Sequence, residues 1–250
     1  MTYCLAIKGE DGLIFGSDTR TSAGVDYVTS YRKMHVFSPG PDRIFVILSA
    51  GSLATTQEVV HWLTRDLETN DGRPSLMTVR YLFEAAYYLG QVSRSVQNQY
   101  AATLSRAGVS GETTLILGGQ IGTQTHDIFL IYPQGNFIQA SDDTPYLQIG
   151  ESKYGKPMLD RLVRQKMSLE DAARLALVSL DATIRSNLTV GAPVDLALYR
   201  SGEFALSREF RFEADSPYFM ALKNTWQQGV ADLFYKLPLF DAESPRSEDL

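Results

Sequence analysis

Thr2-Tyr3-Cys4-Leu5-Ala6-Ile7-Lys8-Gly9-Glu10-Asp11-Gly12-Leu13-Ile14-Phe15-Gly16-Ser17-Asp18 is the stretch on which the fold turns. Residues 2–7 and 13–18 read as strands, and the Gly9-Glu10-Asp11-Gly12 cluster between them reads as the turn of a hairpin. With a four-residue loop, Lys8 pairs with Leu13 and the same register sets Thr2 opposite Thr19. Asp18 is thereby carried to the end of the sheet where the chain begins. Thr2 stands directly behind Met1. Removal of Met1, which a small second residue permits, leaves one residue with both a free α-amine and a hydroxyl. The amine has a reference pKa of about 8, so a useful fraction is neutral near pH 7 and can take the hydroxyl proton. An N-terminal threonine is one of the activated-nucleophile arrangements. Thr at position 2 is common in ordinary proteins, so its neighbours decide its meaning.

Working outward, residues 33–38 and 43–49 form a second expected hairpin, turned by Pro39-Gly40-Pro41-Asp42. Lys33 opens its first strand and Ala50-Gly51-Ser52 closes its second, which brings Lys33 and Gly51 to a common edge. Thr2, Asp18, Lys33 and Gly51 thus converge on one end of a sheet. Apolar periodicity predicts helices over 53–70 and 76–106, the second with Val79, Leu82, Phe83, Ala86 and Leu89 on one face. Its Tyr and Met residues read as core or subunit contact. Strands are expected over 113–118, 127–132, 137–140 and 146–149, with Pro133-Gln134-Gly135-Asn136 turning one hairpin. Gly118-Gly119 reads as strand-to-turn punctuation; no Lys-Ser/Thr follows it and no helix opens there, which argues against a phosphate loop.

A second helical pair is expected over 153–164 and 169–188, with Ser168 capping the latter and Glu170 and Asp171 in its first turn. Strands over 194–199 and 204–212 turn at Ser201-Gly202. Asp215-Ser216-Pro217 starts a last helix to about Lys236. Hairpin-linked strands imply antiparallel sheets, and helix pairs inserted between strand groups imply outer helical layers. The expected fold class is α+β: a four-layer αββα sandwich of two stacked antiparallel sheets between helix pairs. Residues 1–212 are read as one domain, 213–237 as its helical extension and 238–250 as a polar, mobile tail.

The chain has 250 residues, enough to bury a sizeable core, with 44% hydrophobic and 21% charged residues. Its formal net charge of −6 argues against nucleic-acid and anionic-membrane partners. A basic n-region, a long apolar run and a second cysteine are all missing, which together point to the cytoplasm. Cys4 reads as a small buried hydrophobe. His35, His61 and His126 are scattered without ligand spacing, so neither a metal nor an organic cofactor is expected.

Several segments carry a resemblance: the opening Met1–Ile7, Gly16-Ser17-Asp18-Thr19-Arg20, Tyr31-Arg32-Lys33-Met34, Leu48-Ser49-Ala50-Gly51-Ser52, the run from Gln148 to Pro157, and Gly191-Ala192-Pro193-Val194-Asp195-Leu196-Ala197. Together, over about residues 1–212, they make the chain resemble the proteasome β-subunit superfamily of N-terminal nucleophile hydrolases. The nearest resemblance is to the bacterial Anbu, or ancestral beta subunit, family. That resemblance implies the four-layer fold and assembly into a homo-oligomer, a ring or an open spiral. It also implies a threonine peptidase acting on peptides or unfolded proteins, and family analogy admits an energy-dependent unfoldase partner. By the same resemblance, Thr2 is nucleophile through Oγ1 and base through its amine. Lys33 supplies positive charge, Asp18 holds Lys33, and the Gly51 N–H stabilises the oxyanion. Arg20, Ser152 and Asn187 become supporting residues, and Thr21, Tyr31, Ser49 and Leu53 line the first substrate pocket.

Each residue also has a plain structural reading. Asp18 and Arg20 could form an ion pair at a strand end, worth about 0–1 kcal/mol. Lys33 could be a solvated lysine, and Gly51 only a turn glycine. The sequence departs from the family pattern in two places. Gly150-Glu151-Ser152 stands near its Gly-Ser-Gly stretch. Asn187-Leu188-Thr189-Val190-Gly191 stands near its Asp…Ser-Gly-Gly stretch, with an amide for the carboxylate and Val190 for the serine. The altered positions keep two other functions open: an amidase or transferase on a small or modified peptide, and a weakly active or inactive ring scaffold.

Overall fold

The computed structural model describes residues 2–22, 28–69 and 72–238. Strands β1 (Tyr3–Lys8), β2 (Gly12–Asp18), β3 (Arg20–Ser22), β4 (Val28–Ser30), β5 (Met34–Gly40) and β6 (Arg43–Gly51) come first. Helices α1 (Leu53–Glu68) and α2 (Leu82–Arg106) follow, then β7 (Thr113–Ile121), β8 (Asp127–Ile131), β9 (Phe137–Gln139) and β10 (Tyr146–Gly150). Helices α3 (Ser152–Leu162) and α4 (Leu169–Ser186), strands β11 (Val194–Arg200) and β12 (Arg208–Phe212), and helix α5 (Pro217–Phe234) complete the elements of the described residues.

Two five-stranded sheets, ordered β10-β1-β2-β11-β12 and β5-β6-β7-β8-β9, are antiparallel throughout. The first hairpin has the register its loop length dictates, with Lys8 opposite Leu13 and Cys4 opposite Ser17. Strand periodicity then sorts β1 between two cores. Tyr3, Leu5 and Ile7 face α3 and α4, where they meet Leu159, Leu177 and Leu180. Cys4 and Ala6 face the opposite sheet, among Phe15, Val46, Leu48 and Ile116. A third core lies between β5–β9 and the α1–α2 pair, built on Phe45, Leu63, Leu89 and Leu117. The result is the αββα sandwich.

Several boundaries differ from those expected. Helix α2 starts at Leu82 rather than Leu76. The carbonyls of Leu76, Met77 and Val79 accept hydrogen bonds from the Arg43 guanidinium, and Glu84 caps the start by accepting from the amides of Arg80 and Tyr81. Gly118 and Gly119 lie inside β7, not at a turn: a Cβ on Gly118 would run into the Phe15 ring from the facing sheet. Strand β12 starts at Arg208 because Phe204 has φ 51°, off the extended region. The β3–β4 ladder was not anticipated, its strands being three residues each. Helix α4 ends at Ser186, and α5 ends at Phe234. Asn70, the expected end of α1, and residues 239–250 of the expected tail lie outside the described residues.

Candidate active site

Strand β2 delivers Asp18 to the end of its sheet, fully buried. Lys33, in the segment entering β5, reaches across from the other sheet and places Nζ 2.7 Å from Asp18 Oδ1. Nζ also donates to the Arg20 carbonyl at 2.7 Å, which leaves the third ammonium hydrogen for another acceptor. The segment around Lys33 is fixed at both ends. The Tyr31 amide donates to Thr19 O, and the Ser49 amide on β6 donates to Lys33 O. Asp18 takes two further bonds, from the Tyr3 amide to Oδ1 at 3.0 Å and from the Gly191 amide to Oδ2 at 3.2 Å. Burial pushes the Asp18 carboxyl above the usual carboxylate range, against the downward pull of Lys33 and the two backbone donors. Asp18 Oδ1 thus ties the ammonium of Lys33 to the first amide after Thr2.

Thr2 is half-buried, and its carbonyl accepts from the Glu151 amide at 2.8 Å. Tyr3 pairs with Gly150, which holds φ +82°; a Cβ at Gly150 would run into the Thr2 carbonyl oxygen. Glycine here is a condition for the chain start to lie against β10. At the end of β6, Gly51 holds φ +120°, and a Cβ there would run into the Glu112 carbonyl. Around it, Thr113 Oγ1 donates to Ala50 O, and the Ser52 amide donates to Glu112 O. Ser52 then caps α1 by accepting from the Thr55 amide. Cys4, buried beneath this end, donates its thiol to Ser49 O at 3.5 Å, and burial holds that thiol well above its ordinary pKa. It is a packing residue.

Of the remaining expected residues, Arg20 contributes its carbonyl to Lys33, while its guanidinium donates to Leu188 O at 2.9 Å. The expected alternative of an Asp18–Arg20 ion pair is replaced by Asp18–Lys33. Ser152 opens α3, one residue past the amide that binds Thr2 O. Asn187 caps the end of α4, and its Oδ1 accepts from the Thr189 amide and hydroxyl. It therefore shapes the loop that presents Gly191, while Val190 is buried in the helix-side core. Thr21 lies on β3, Tyr31 is 41% exposed, Ser49 is buried on β6, and Leu53 opens α1. Sequence reasoning missed the Gly191 amide and the Tyr3 amide, because backbone donors leave no side-chain signature. Among the described residues no group of three or more His, Cys, Asp or Glu is gathered as a metal would need, and no helix is long and apolar enough to cross a membrane.

The family model described as proteasome subunit matches residues 2–198. Among solved structures, an Anbu (Gly-1) mutant from Hyphomicrobium sp. strain MC1 is 43% identical, with TM-score 0.89, covering 97% of this chain and 100% of that one. Anbu from Yersinia bercovieri is also 43% identical, with TM-score 0.88 and coverage of 96% and 100%. The helical assembly of the Anbu complex from Pseudomonas aeruginosa is 40% identical, with TM-score 0.90 and coverage of 96% and 99%. No curated protein matches the chain. On the strength of the matched model and of these similarities over nearly the whole length, the chain belongs to the proteasome subunit family, among the Anbu (ancestral beta-subunit) proteins.

Proposed function

We propose that the chain is a threonine-type peptidase that cleaves peptide bonds by acyl transfer through Thr2 once Met1 has been removed. The observation that carries this reading is the Asp18 carboxylate shared between Lys33 Nζ and the amide of Tyr3. Thr2 Oγ1 attacks the scissile carbonyl carbon while the Thr2 α-amine takes its proton. The Lys33 charge favours the alkoxide-like oxygen, and the Gly51 N–H receives the oxyanion of the tetrahedral intermediate. The proton then passes from the α-amine to the departing nitrogen, leaving an ester on Thr2 that water hydrolyses. Loss of one oxyanion donor costs a factor of about 10² to 10³ in such reactions. Thr21, Tyr31, Ser49 and Leu53 border the first substrate pocket, and Arg20, Ser152 and Asn187 support the chain around it.

The active form is a homo-oligomer that encloses its sites. Two features support this: the helical assembly formed by the Pseudomonas aeruginosa relative, and exposed large apolar side chains at the start of α2 (Tyr81 just before it, Phe83 and Tyr87 on it) and on α5 (Leu233, Phe234). A second reading, hydrolysis or transfer of an amide in a small or modified peptide, rests on Asn187 and Val190 standing for a carboxylate and a hydroxyl of the family pattern. Incubating Met1-free protein with an unfolded protein and with short peptide amides separates the two. Turnover of the unfolded chain that is lost in Thr2→Ala supports the peptidase, and turnover of small amides alone supports the second reading.

A further inference from the structure

Tyr3 combines a backbone bond to the candidate site with a wholly buried side chain. Its hydroxyl lies 2.7 Å from Ser179 Oγ on α4 and accepts from Gln148 Nε2 on β10. Counting hydrogens orients the chain of bonds. Ser179 has one hydroxyl hydrogen, given to the Gly155 carbonyl in α3 at 3.0 Å. The Tyr3 O–H therefore donates to Ser179, and the lone pair it keeps receives Gln148. Gln148 Nε2 is also within 3.3 Å of the Ser152 carbonyl, in the first turn of α3. Helix α3 comes this close only because Gly155 has no side chain: a Cβ there would collide with both the Tyr3 and Ser179 hydroxyl oxygens.

From this we infer that Tyr3 is a positioning residue for Thr2: its phenol, through Ser179 and Gln148, sets the first turn of α3 against the chain start. The inference rests on the reading of Thr2 as nucleophile. Tyr3 is held at two ends. Its amide is on Asp18, and its hydroxyl, on the far side of the ring, is on Ser179 and Gln148, which in turn donate to the carbonyls of Gly155 and Ser152 in α3. The Thr2 carbonyl is held by the Glu151 amide, immediately before that same turn. If the α3 turn shifts, the Thr2 peptide shifts with it. Solvation alone does not call for a phenol here, since burial disfavours a polar group and a phenylalanine would fill the same core.

The test is the two-step kinetics of a peptide electrophile that captures an N-terminal amine and its neighbouring hydroxyl. Adduct formation is followed by intact mass on Met1-free wild type, Thr2→Ala, Tyr3→Phe and Ser179→Ala. Tyr199→Phe is the control, because its buried phenol is likewise hydrogen-bonded, to Gln120, but lies on β11 opposite Leu13 at the other end of the sandwich. Misplacement by about 1 Å away from the chemistry can cost about 100-fold. The expected result is therefore a bond-forming rate constant reduced about 10- to 100-fold in Tyr3→Phe and Ser179→Ala, with the initial binding constant within about threefold. Tyr199→Phe keeps the wild-type rate constant. Equal bond-forming rates in folded Tyr3→Phe and wild type overturn the positioning role alone. A like loss in Tyr199→Phe also overturns it, since the effect is then one of general stability. No adduct on Met1-free wild type overturns the nucleophile reading and this inference together. If Tyr3→Phe does not fold, Ser179→Ala decides by the same criteria.

Discussion

Asp18 and Lys33 form an ion pair withdrawn from solvent, and such pairs are more costly to break than to replace. Asp18→Ala leaves an ammonium facing Arg20 O without its carboxylate, and Lys33→Ala leaves a carboxylate held by two amides. Either single change is expected to cost about 3–5 kcal/mol in denaturant unfolding, and the double change less than the sum of the two. Full additivity would mean that the two side chains act independently. His35 yields a prediction about pH. It lies on β5 with Nε2 buried and unpartnered, and burial, with Arg32 nearby, holds its pKa below the ordinary 6.5. The unfolded chain therefore takes up a proton at His35 as pH falls below about 6.5, while the folded chain resists it. Stability from this residue is intact above that value and is lost as pH falls toward the folded pKa. Unfolding at pH 8 and pH 5.5 should show His35→Gln losing less stability than wild type between them. Equal losses would remove His35 from the account. The place of Asp18 beside the chain start was legible from turn arithmetic, because a four-residue loop leaves one register, whereas Lys33 as its partner was implied by the family resemblance. The third bond to Asp18 was not, since it comes from the amide of Gly191, 173 residues away.

At the scale of elements, Gly51 ends β6 in a conformation that side chains rarely adopt, with the Glu112 carbonyl where a Cβ would be. Gly51→Ala must shift this turn. It is expected to lower the bond-forming rate by a factor of about 10² to 10³ if the Gly51 N–H holds the oxyanion, as loss of such a donor does. A wild-type rate in the folded variant would assign that role elsewhere. Helix α5 rests on one fully buried side chain, Phe219, packed beside Phe212 and Leu222. Phe219→Ala should cost about 3–5 kcal/mol in thermal or denaturant unfolding, as other large core truncations do. A loss below about 1 kcal/mol would mean that α5 adds little to the core. Strong periodicity made the helices legible. The start of α2 was hidden because a single distant guanidinium, that of Arg43, takes the carbonyls a longer helix would need.

For the whole molecule, alternation within β1 alone separates two of the three cores, so the layered fold could be read from the first hairpin and the helix pairs between strand groups. Assembly was less legible, since Phe83, which its spacing grouped with the core face of α2, is exposed, and apolar spacing does not separate a core position from a subunit contact. Sedimentation of the purified chain at micromolar concentration is expected to show particles several times the monomer mass; a monomer under those conditions would remove self-enclosure from the proposed function. The central claim is that Thr2, freed of Met1, is the nucleophile. Its most direct test is the intact mass of Met1-free protein after exposure to an electrophile that captures an N-terminal amine and its neighbouring hydroxyl. One adduct per chain, mapped to Thr2 and missing from Thr2→Ala, is the result expected; an unmodified wild type, or equal modification of Thr2→Ala, would contradict it.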